Sequence, residues 1–282
     1  MNDKYKLLQA NPTICKRLFG VDFVQMEQVL VKVQNRIDQY LRENPLSKRG
    51  IEAELSVANQ LLLTFEYLRQ YPTFLSLGFS YGISESYCHK IFHKMRPILA
   101  DVIGLKNPDK LKYTHVKTVV VDVPVQPIER PKKNQEVYYN GAKKKHIIKS
   151  QLIISQKDKT IEHCRVEREG RKSDIRIFQE TPLEIHRKIK VKGDLGYVGI
   201  QKVHARSQIP HKKPKKGELT IKQKRQNKAF RSKRVKIEHV NRLCKCFRIV
   251  KETYRNRLNH IAQIWLIVCG LINLNIEKVI RI

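Results

Sequence analysis

The sequence is poor in cysteine, and its first residues are mostly polar, and each feature predicts against a class of protein. It has six cysteines in 282 residues, none of them in a CxxC pair, which excludes a disulfide-stabilised secreted scaffold and predicts reduced thiols inside a cell. The first residues, MNDKYKLLQANPT, contain no apolar segment of the kind that a secretory signal needs. We therefore expect an intracellular protein with a buried hydrophobic core.

Long apolar runs are also scarce. The longest, residues 261–274, is interrupted by Gln263, Gly270 and Asn273, and a transmembrane helix needs about 20 apolar residues. We predict a buried C-terminal helix there and no membrane partner.

Acidic residues are few, so positive charge dominates. The 57 Lys and Arg against 26 Asp and Glu give a net charge of +31, and residues 206–236 hold 13 basic residues and one acid, Glu218. Repulsion of this size disfavours a compact chain unless a polyanion neutralises it. We expect double-stranded DNA as the partner. An anionic membrane is the weaker alternative, because no basic amphipathic helix has an aromatic apolar face.

Apolar periodicity divides the chain into a helical first part and a mixed second part. Residues 23–43 repeat apolar side chains at helical spacing, and a second helix is predicted between its N-cap Ser56 and Pro72. Beyond Pro108 the pattern predicts strands at 116–125, 146–156, 161–167 and 189–194, and helices at 174–181, 219–247 and 256–278. We predict an α+β protein with a helical domain over 1–108 and a mixed domain over 109–282.

The segment from 73 to 100 has the layout of a helix-turn-helix. A short helix follows Thr73, Gly82 supplies the turn, and a longer helix follows its N-cap Ser84. The start of such a second helix meets base edges in the major groove. The predicted DNA contacts there are Ser84, Glu85, Ser86, Tyr87, His89 and Lys90. An ordinary helical hairpin is the alternative.

Three acids lie in apolar or turn contexts where a carboxylate needs an explanation. Asp122 is inside the run TVVVDVPV, Asp194 is in the turn GDLGYVG, and Glu238 is in the helical stretch RVKIEHVNRL. A buried carboxylate is costly unless it is paired or binds a metal. Two strands and a helix can together form an oxygen-rich Mg²⁺ site, where two ions would activate a water for phosphodiester attack.

Each acid also has an ordinary explanation, and the spacing alone does not decide between the two. The alternatives are an ion pair of Asp122 with Arg130 or Lys117, a turn role for Asp194, and pairing of Glu238 with Arg234 or Arg242 along the helix.

Longer motifs surround these acids in a fixed order. They are DVPVQPIERPKKNQEVYYNGAKKKHIIKSQ (122–151), GDLGYVGI (193–200) and RVKIEHVNRLCKCFRIV (234–250). These motifs resemble the first-Asp, second-Asp and Glu motifs of DDE transposases, specifically the Harbinger-like group and the bacterial insertion-sequence-five family. The segment LSVANQLLLTFEYLRQYPTF with YGISES resembles the helix-turn-helix region of that group. The resemblance covers about residues 45–280.

The resemblance implies a fold, a reaction and a set of partners. The fold would be a helix-turn-helix domain followed by an RNase H-like α/β/α catalytic domain, with Asp122, Asp194 and Glu238 as catalytic and metal-binding residues. Two Mg²⁺ ions, or Mn²⁺ in their place, would activate the water that cleaves the terminal inverted repeats of a mobile element. The freed 3′-hydroxyl would then join target DNA. Two ends must meet, so a homo-oligomer is expected.

The competing hypothesis is a catalytically inactive, transposase-derived DNA-binding regulator. Relatives usually have Thr or Ser at position 124 and an acidic or polar residue at 125, so Pro124 and Val125 are departures beside the first acid. A bacterial cytoplasmic, nucleoid-associated location is expected, and the basic runs by themselves also fit a nuclear one.

Further residues are predicted to support the site or to hold DNA phosphates. Asp174 and His239 are candidates for orienting the metal ligands. Basic side chains in the segments that flank the acids would contact phosphates without reading sequence. They are Arg130, Lys143, Lys144, Lys145, Lys212, Lys213, Lys215, Lys216, Arg231, Lys233 and Arg234.

Overall fold

A computed structural model describes residues 3–45 and 54–280 of the chain. Its contacts divide the chain into two compact units. Unit 1 comprises Met1–Gly104, Lys245–Glu252 and Leu258–Asn275, and unit 2 comprises Leu105–Cys244, Thr253–Arg257 and Ile276–Ile282. The described residues of unit 1 are helical and unit 2 mixes helices with strands, as the α+β prediction requires. All six cysteines are free thiols.

Unit 1 contains the N-terminal helices and two C-terminal ones, numbered here in chain order across both units. They are α1 Lys4–Ala10, α2 Cys15–Phe19, α3 Phe23–Glu43, α4 Val57–Gln70, α5 Phe74–Tyr81, α6 Glu85–Val102, α10 Arg248–Lys251 and most of α11 Ile261–Ile280. The predicted helix over 23–43 is confirmed by α3, which begins with a capping box of Asp22 and Gln25. The short helices α1 and α2 were not predicted.

Helices α5 and α6 have the local structure that the sequence predicts. The hydroxyl of Thr73 caps α5 by accepting from the Ser76 N–H, and that of Ser84 caps α6 by accepting from the Tyr87 N–H. Gly82 ends α5 at a φ of 67°, in the left-handed region where a glycine is favoured. The result is a short helix, a tight turn and a longer helix.

Helix α11 is a core helix of unit 1. By length and composition the stretch Leu258–Ile276 could cross a membrane, but 56% of it is buried inside the protein, including the fully buried Trp265. The sequence predicted an apolar stretch too short to span a membrane, and this was wrong, because the helix is long enough by length and composition. The prediction that the C-terminal helix is buried is confirmed. The domain prediction assigned all of 109–282 to the second domain, whereas contacts group Leu258–Asn275 with unit 1.

Unit 2 is built on a mixed sheet. Its strands are β2 Thr118–Asp122, β3 Val125–Pro127, β4 Tyr139–Asn140, β5 Lys145–Ser155, β6 Ile161–Glu167, β8 Lys190–Lys192 and β9 Ser207–Gln208, and a separate pair is formed by β1 Lys110–Leu111 and β7 Glu184–Ile185. The helices are α7 Gln135–Tyr138, α8 Asp174–Gln179 and α9 Ile221–Lys245.

The pairing of these strands fixes which chain segments meet. Strand β5 is antiparallel to β2 on one side and to β6 on the other. Strand β8 is parallel to β2, and β9 is parallel to β8. The order across the sheet is therefore β6-β5-β2-β8-β9, in which β2 is central.

Pro124 interrupts the sheet without shifting it. Strands β2 and β3 pair with β5 in one continuous register, since Asp122 lies opposite Leu152 and Val125 lies opposite Lys149. The Pro124 carbonyl accepts from the Ser150 N–H at 3.0 Å, but proline has no N–H to return the bond. Pro124 therefore removes one hydrogen bond of the ladder and leaves Asp122 in register.

Gly270→Ala is expected to destabilise unit 1. A Cβ at position 270 would lie 1.8 Å from the backbone oxygen of Ile103, so α11 or the end of α6 would have to move. Alanine in a helix interior is otherwise favoured over glycine by about 1 kcal/mol. We expect instead a loss of about 2 kcal/mol in the free energy of unfolding, measured by urea denaturation.

The control for this variant is Gly141→Ala, because a Cβ at position 141 would meet nothing within 4 Å. A free energy of unfolding for Gly270→Ala that equals or exceeds the wild-type value would contradict the close packing of α11 on the end of α6.

Candidate active site

Two of the three predicted acids lie at one edge of the sheet in unit 2. Asp122 is the last residue of β2, and Asp194 comes two residues after β8. Because β2 and β8 are adjacent and parallel, their carboxyl ends meet at the same edge. The two side chains are close enough to interact, since the charge of Asp194 raises the pKa of Asp122.

Asp122 is largely enclosed, and α9 supplies its partners. Burial raises the pKa of this carboxyl above its ordinary value, Arg234 opposes the shift, and Asp194 adds to it. The Arg234 Nη2 lies 3.6 Å from Asp122 Oδ1, and the Asn241 Nδ2 donates to Asp122 Oδ2 at 2.5 Å. An ion pair and a hydrogen bond from one helix therefore hold the carboxylate.

The partners proposed for Asp122 from sequence were wrong. The Arg130 Nε donates to Gln135 Oε1 at 2.9 Å, and the Lys117 ammonium lies 3.7 Å from the centre of the Tyr113 ring. Arg234 was predicted to contact DNA, yet only 13% of its side chain is exposed and it faces Asp122. Proximity in sequence favoured the wrong cations, because α9 reaches Asp122 from more than 110 residues away.

Asp174 and Asp194 converge on Gly196. Asp194 Oδ1 accepts from the Gly196 N–H at 2.8 Å. A Cβ built on Gly196 would lie 2.7 Å from Asp174 Oδ2 and 3.0 Å from Asp194 Oδ1, so the two carboxylates occupy the space that a larger residue would need. Asp174 is thus placed beside a predicted metal ligand.

A lysine offsets the negative charge of Asp174. The Lys149 Nζ lies 3.0 Å from Asp174 Oδ1 and also donates to the Lys172 carbonyl at 2.6 Å. The Lys149 side chain is only 11% exposed. This positive charge offsets the repulsion between the Asp174 and Asp194 carboxylates, which both lie beside Gly196. Lys149 was missed by the sequence analysis, because only the pairing of β5 reveals its position.

Tyr197 lies in the core beside the aspartates. The ring is fully buried and meets Phe178 edge to face at a centroid distance of 6.1 Å. Burial raises the pKa of its hydroxyl well above the ordinary value, and Asp122, Asp174 and Asp194 add to the effect. One ring therefore senses three carboxylates, which indicates that all three lie near the same end of the core.

Glu238 lies on α9 between the two residues that contact Asp122. It comes four residues after Arg234 and three before Asn241, a spacing that puts all three on one helix face. Glu238 is exposed, and within residues 3–45 and 54–280 it forms no ion pair, so the proposed pairing with Arg234 or Arg242 is not found. The adjacent His239 is half-buried.

The donor set suits a hard divalent cation, although the acids are not drawn into one cluster. Carboxylate oxygens are the ligands that Mg²⁺ and Mn²⁺ prefer, and Asp122 and Asp194 supply them at one sheet edge. Among the described residues, no three His, Cys, Asp or Glu side chains are close enough to hold one ion. The triad with Glu238 therefore stays a prediction.

The other predicted DNA contacts are mostly on the surface. On α6, Tyr87 is half-buried and the rest are exposed, namely Ser84, Glu85, Ser86, His89 and Lys90. The basic residues of the flanking segments are also exposed, namely Arg130, Lys143, Lys144, Lys145, Lys212, Lys213, Lys215, Lys216, Arg231 and Lys233. One of them, Lys213, forms an ion pair with Glu218 at 2.6 Å. Their exposure is compatible with phosphate contacts and does not test them.

Comparisons with known proteins agree with this layout. Residues 121–273 match the family model of the DDE superfamily endonuclease, and residues 53–104 match the helix-turn-helix of DDE superfamily endonucleases. The chain is 34% identical over 264 residues to a probable transposase for the insertion sequence element IS702 of Microchaete diplosiphon, covering 92% of this chain and 95% of that protein. No solved structure gives a significant match.

Gly196→Ala is expected to displace the Asp174 or Asp194 carboxylate, since both lie within 3.0 Å of the new Cβ. Gly196 does not have the left-handed backbone that favours glycine, so the variant tests space alone. We expect DNA cleavage to fall by about a hundredfold, because a displacement of about 1 Å in an active site can cost that much.

The measurement is the rate of cleavage on supercoiled DNA, with circular dichroism to check folding. Gly141→Ala, which meets nothing within 4 Å, is the control and should cleave at the wild-type rate. Wild-type cleavage by a folded Gly196→Ala variant would remove these two carboxylates from the reaction.

Proposed function

Because this chain belongs to the DDE superfamily of endonucleases and is the transposase of an insertion sequence, we propose that Asp122, Asp194 and Glu238 are its catalytic, metal-binding triad. The observation that carries the proposal is the parallel pairing of β2 with β8, which puts two carboxylates at one sheet edge. Glu238 supports it by lying on the same face of α9 as two residues that contact Asp122.

We further propose that unit 2 has an RNase H-like fold. The support is the sheet itself, in which three antiparallel strands are followed by two strands parallel to the central one, in the order β6-β5-β2-β8-β9. The finer assignment to the Harbinger-like group and the insertion-sequence-five family rests on the motifs at 122–151, 193–200 and 234–250.

The side chains at the sheet edge have separate roles in this proposal. Asp122, Asp194 and Glu238 would hold Mg²⁺, which supplies the Lewis acid that activates water against a phosphodiester. Arg234 and Asn241 hold the Asp122 carboxylate in a fixed orientation. Lys149 fixes Asp174, which in turn lies beside Asp194 at Gly196 and limits where that carboxylate can point.

DNA would be held by the exposed basic residues and recognised by the helix-turn-helix. A helix-turn-helix places the start of its second helix in the major groove, so the exposed start of α6 would read the terminal repeats of the element. Lysines of the loop at 212–216 would contact phosphates of the ends or of the target. Joining two ends requires more than one triad, so we expect a homo-oligomer in the complex with DNA.

The regulator hypothesis is not favoured, because the chain matches an endonuclease family and a transposase along most of its length. We expect this transposase to act inside the cell, where the DNA of its element lies.

Asp122→Asn, Asp194→Asn and Glu238→Gln are each expected to abolish cleavage and strand transfer while leaving DNA binding intact. Mutation of a residue that only orients a metal ligand typically lowers metal affinity or activity by about 10–100-fold. Because these three residues would bind the metal themselves, we expect the cleavage rate to fall by more than about a hundredfold. The assay uses supercoiled DNA carrying the element's own ends, in Mg²⁺ or Mn²⁺.

Two exposed acids of unit 2 serve as matched controls, Asp109→Asn and Glu129→Gln, and both should keep the wild-type rate. Activity that survives in one of the three triad variants removes that residue from the triad. A folded wild type that binds the ends in both metals and never cuts would overturn the enzymatic function.

Removing polar side chains from the two proposed DNA-binding surfaces is expected to have different effects. His89→Ala and Lys90→Ala on α6 should weaken binding to the element's ends more than to unrelated DNA, because base contacts specify. Lys215→Ala in the basic loop should weaken binding to both DNAs alike and reduce the slope of log K against log salt by about one.

Binding is measured by fluorescence anisotropy over a range of salt concentrations. The control is Lys32→Ala, which removes one exposed charge from α3. Equal loss for both DNAs in the α6 variants would argue against base recognition by this helix.

A further inference from the structure

Asn241 is a polar residue of α9 that contacts Asp122 directly. Its Nδ2 donates to Asp122 Oδ2 at 2.5 Å. Seven residues earlier on the same helix face, the Arg234 Nη2 lies 3.6 Å from the other oxygen of that carboxylate. Glu238 lies between the two at helical spacing, so all three residues belong to one face of α9 within about 10 Å of helix, and the Glu238 side chain is exposed.

Within the part of the chain that the structure describes, the oxygen of the Asn241 amide has no hydrogen-bond partner. Its Oδ1 is buried and, across the ranges 3–45 and 54–280, accepts from no donor. A buried acceptor left in this state costs about 1–3 kcal/mol, and native proteins leave few such groups unexplained. Rotation about χ2 would turn this oxygen toward the Asp122 carboxylate, where a bound cation would satisfy it.

We propose that Asn241 is a fourth residue of the metal site and gives its amide oxygen to the divalent cation that binds Asp122. The inference rests on the proposed function of Asp122, Asp194 and Glu238. Amide oxygens are accepted ligands of hard divalent cations, and a neutral oxygen adds a ligand without adding repulsion between carboxylates.

The same side chain can serve the protein with and without the cation. An asparagine amide has two donors on its nitrogen and an acceptor oxygen, and rotation about χ2 exchanges their positions. With the nitrogen toward Asp122, as in this structure, the amide holds the bare carboxylate. With the oxygen turned toward the same edge, it contributes to the cation's ligand shell.

A purely structural role is the competing explanation. The bond between Asn241 and Asp122 also ties α9 to β2, so its removal would lower the stability of unit 2. A structural bond affects the unfolding transition, whereas a metal ligand affects the affinity of the folded protein for the cation. The affinity for Mn²⁺ therefore separates the two roles without relying on DNA cleavage.

The test compares Asn241→Leu and Asn241→Asp in the full chain with the same changes at Asn227. Asn227 lies on α9 14 residues earlier, about 21 Å away along the helix, and pairs with His211. Binding of Mn²⁺ is followed by titration calorimetry and by the electron paramagnetic resonance of free Mn²⁺. We expect Asn241→Leu to weaken binding about tenfold and Asn241→Asp to tighten it, because a carboxylate replaces a neutral ligand. Both Asn227 variants should match the wild type.

Two outcomes would overturn the proposal. If Asn241→Leu and Asn227→Leu bind Mn²⁺ equally and only the former unfolds at lower temperature, the role is structural. If Asn241→Asp binds Mn²⁺ more weakly than the wild type, the site needs the hydrogen bond from the Asn241 nitrogen to Asp122, and the side-chain oxygen at position 241 does not bind the cation. Asn241→Asp preserves the size and polarity of the side chain. It therefore distinguishes a metal ligand from a structural residue even if Asn241→Leu fails to fold.

Asp122→Asn and Asp194→Asn separate this inference from the proposed function. If neither variant changes the affinity for Mn²⁺, no cation binds at this edge and the proposed triad itself fails. If both lose affinity while the Asn241 variants match the wild type, the triad stands and only the role of Asn241 is wrong.

Discussion

The parallel pairing of β2 with β8 is the constraint on which the candidate site depends. It brings Asp122 and Asp194, 72 residues apart in the chain, to one edge of the sheet, where their charges repel and burial raises the pKa of Asp122. Polar and positively charged side chains around the aspartates offset that repulsion. Arg234 and Asn241 hold Asp122, and Lys149 holds Asp174. A divalent cation would relieve the same repulsion more completely.

The charge of the protein is divided between two tasks. Its excess of +31 is largely exposed, in loops and along the first half of α9, where lysines can meet phosphates without reading sequence. The second half of α9 turns Arg234 inward to an aspartate instead. One helix thereby carries exposed positive charge in its first half and a partner of the buried Asp122 in its second half.

Local patterns predicted most of the elements. The spacing of apolar residues predicted α3 over 23–43, and alternation predicted β6 over 161–167, both at the bounds found in the structure. Ser56 and Ser84 cap the helices expected of them. The short helices α1 and α2 were not predicted, because five to seven residues are too few to show a helical periodicity of apolar side chains. The grouping of α11 with the N-terminal helices was not predicted either, because it depends on contacts between segments that are distant in the chain.

The sequence by itself determined the net charge, the order of the longer strands and helices, the three acids and the family motifs around them. Only the tertiary structure decided that Asp122 pairs with Arg234 and Asn241, that Asp174 meets Asp194 over Gly196, and that Tyr197 belongs to the core. The reason is physical. Periodicity encodes the local conformation of one segment, whereas the partner of a side chain is set by strand register and by the packing of helices that lie far apart in the chain.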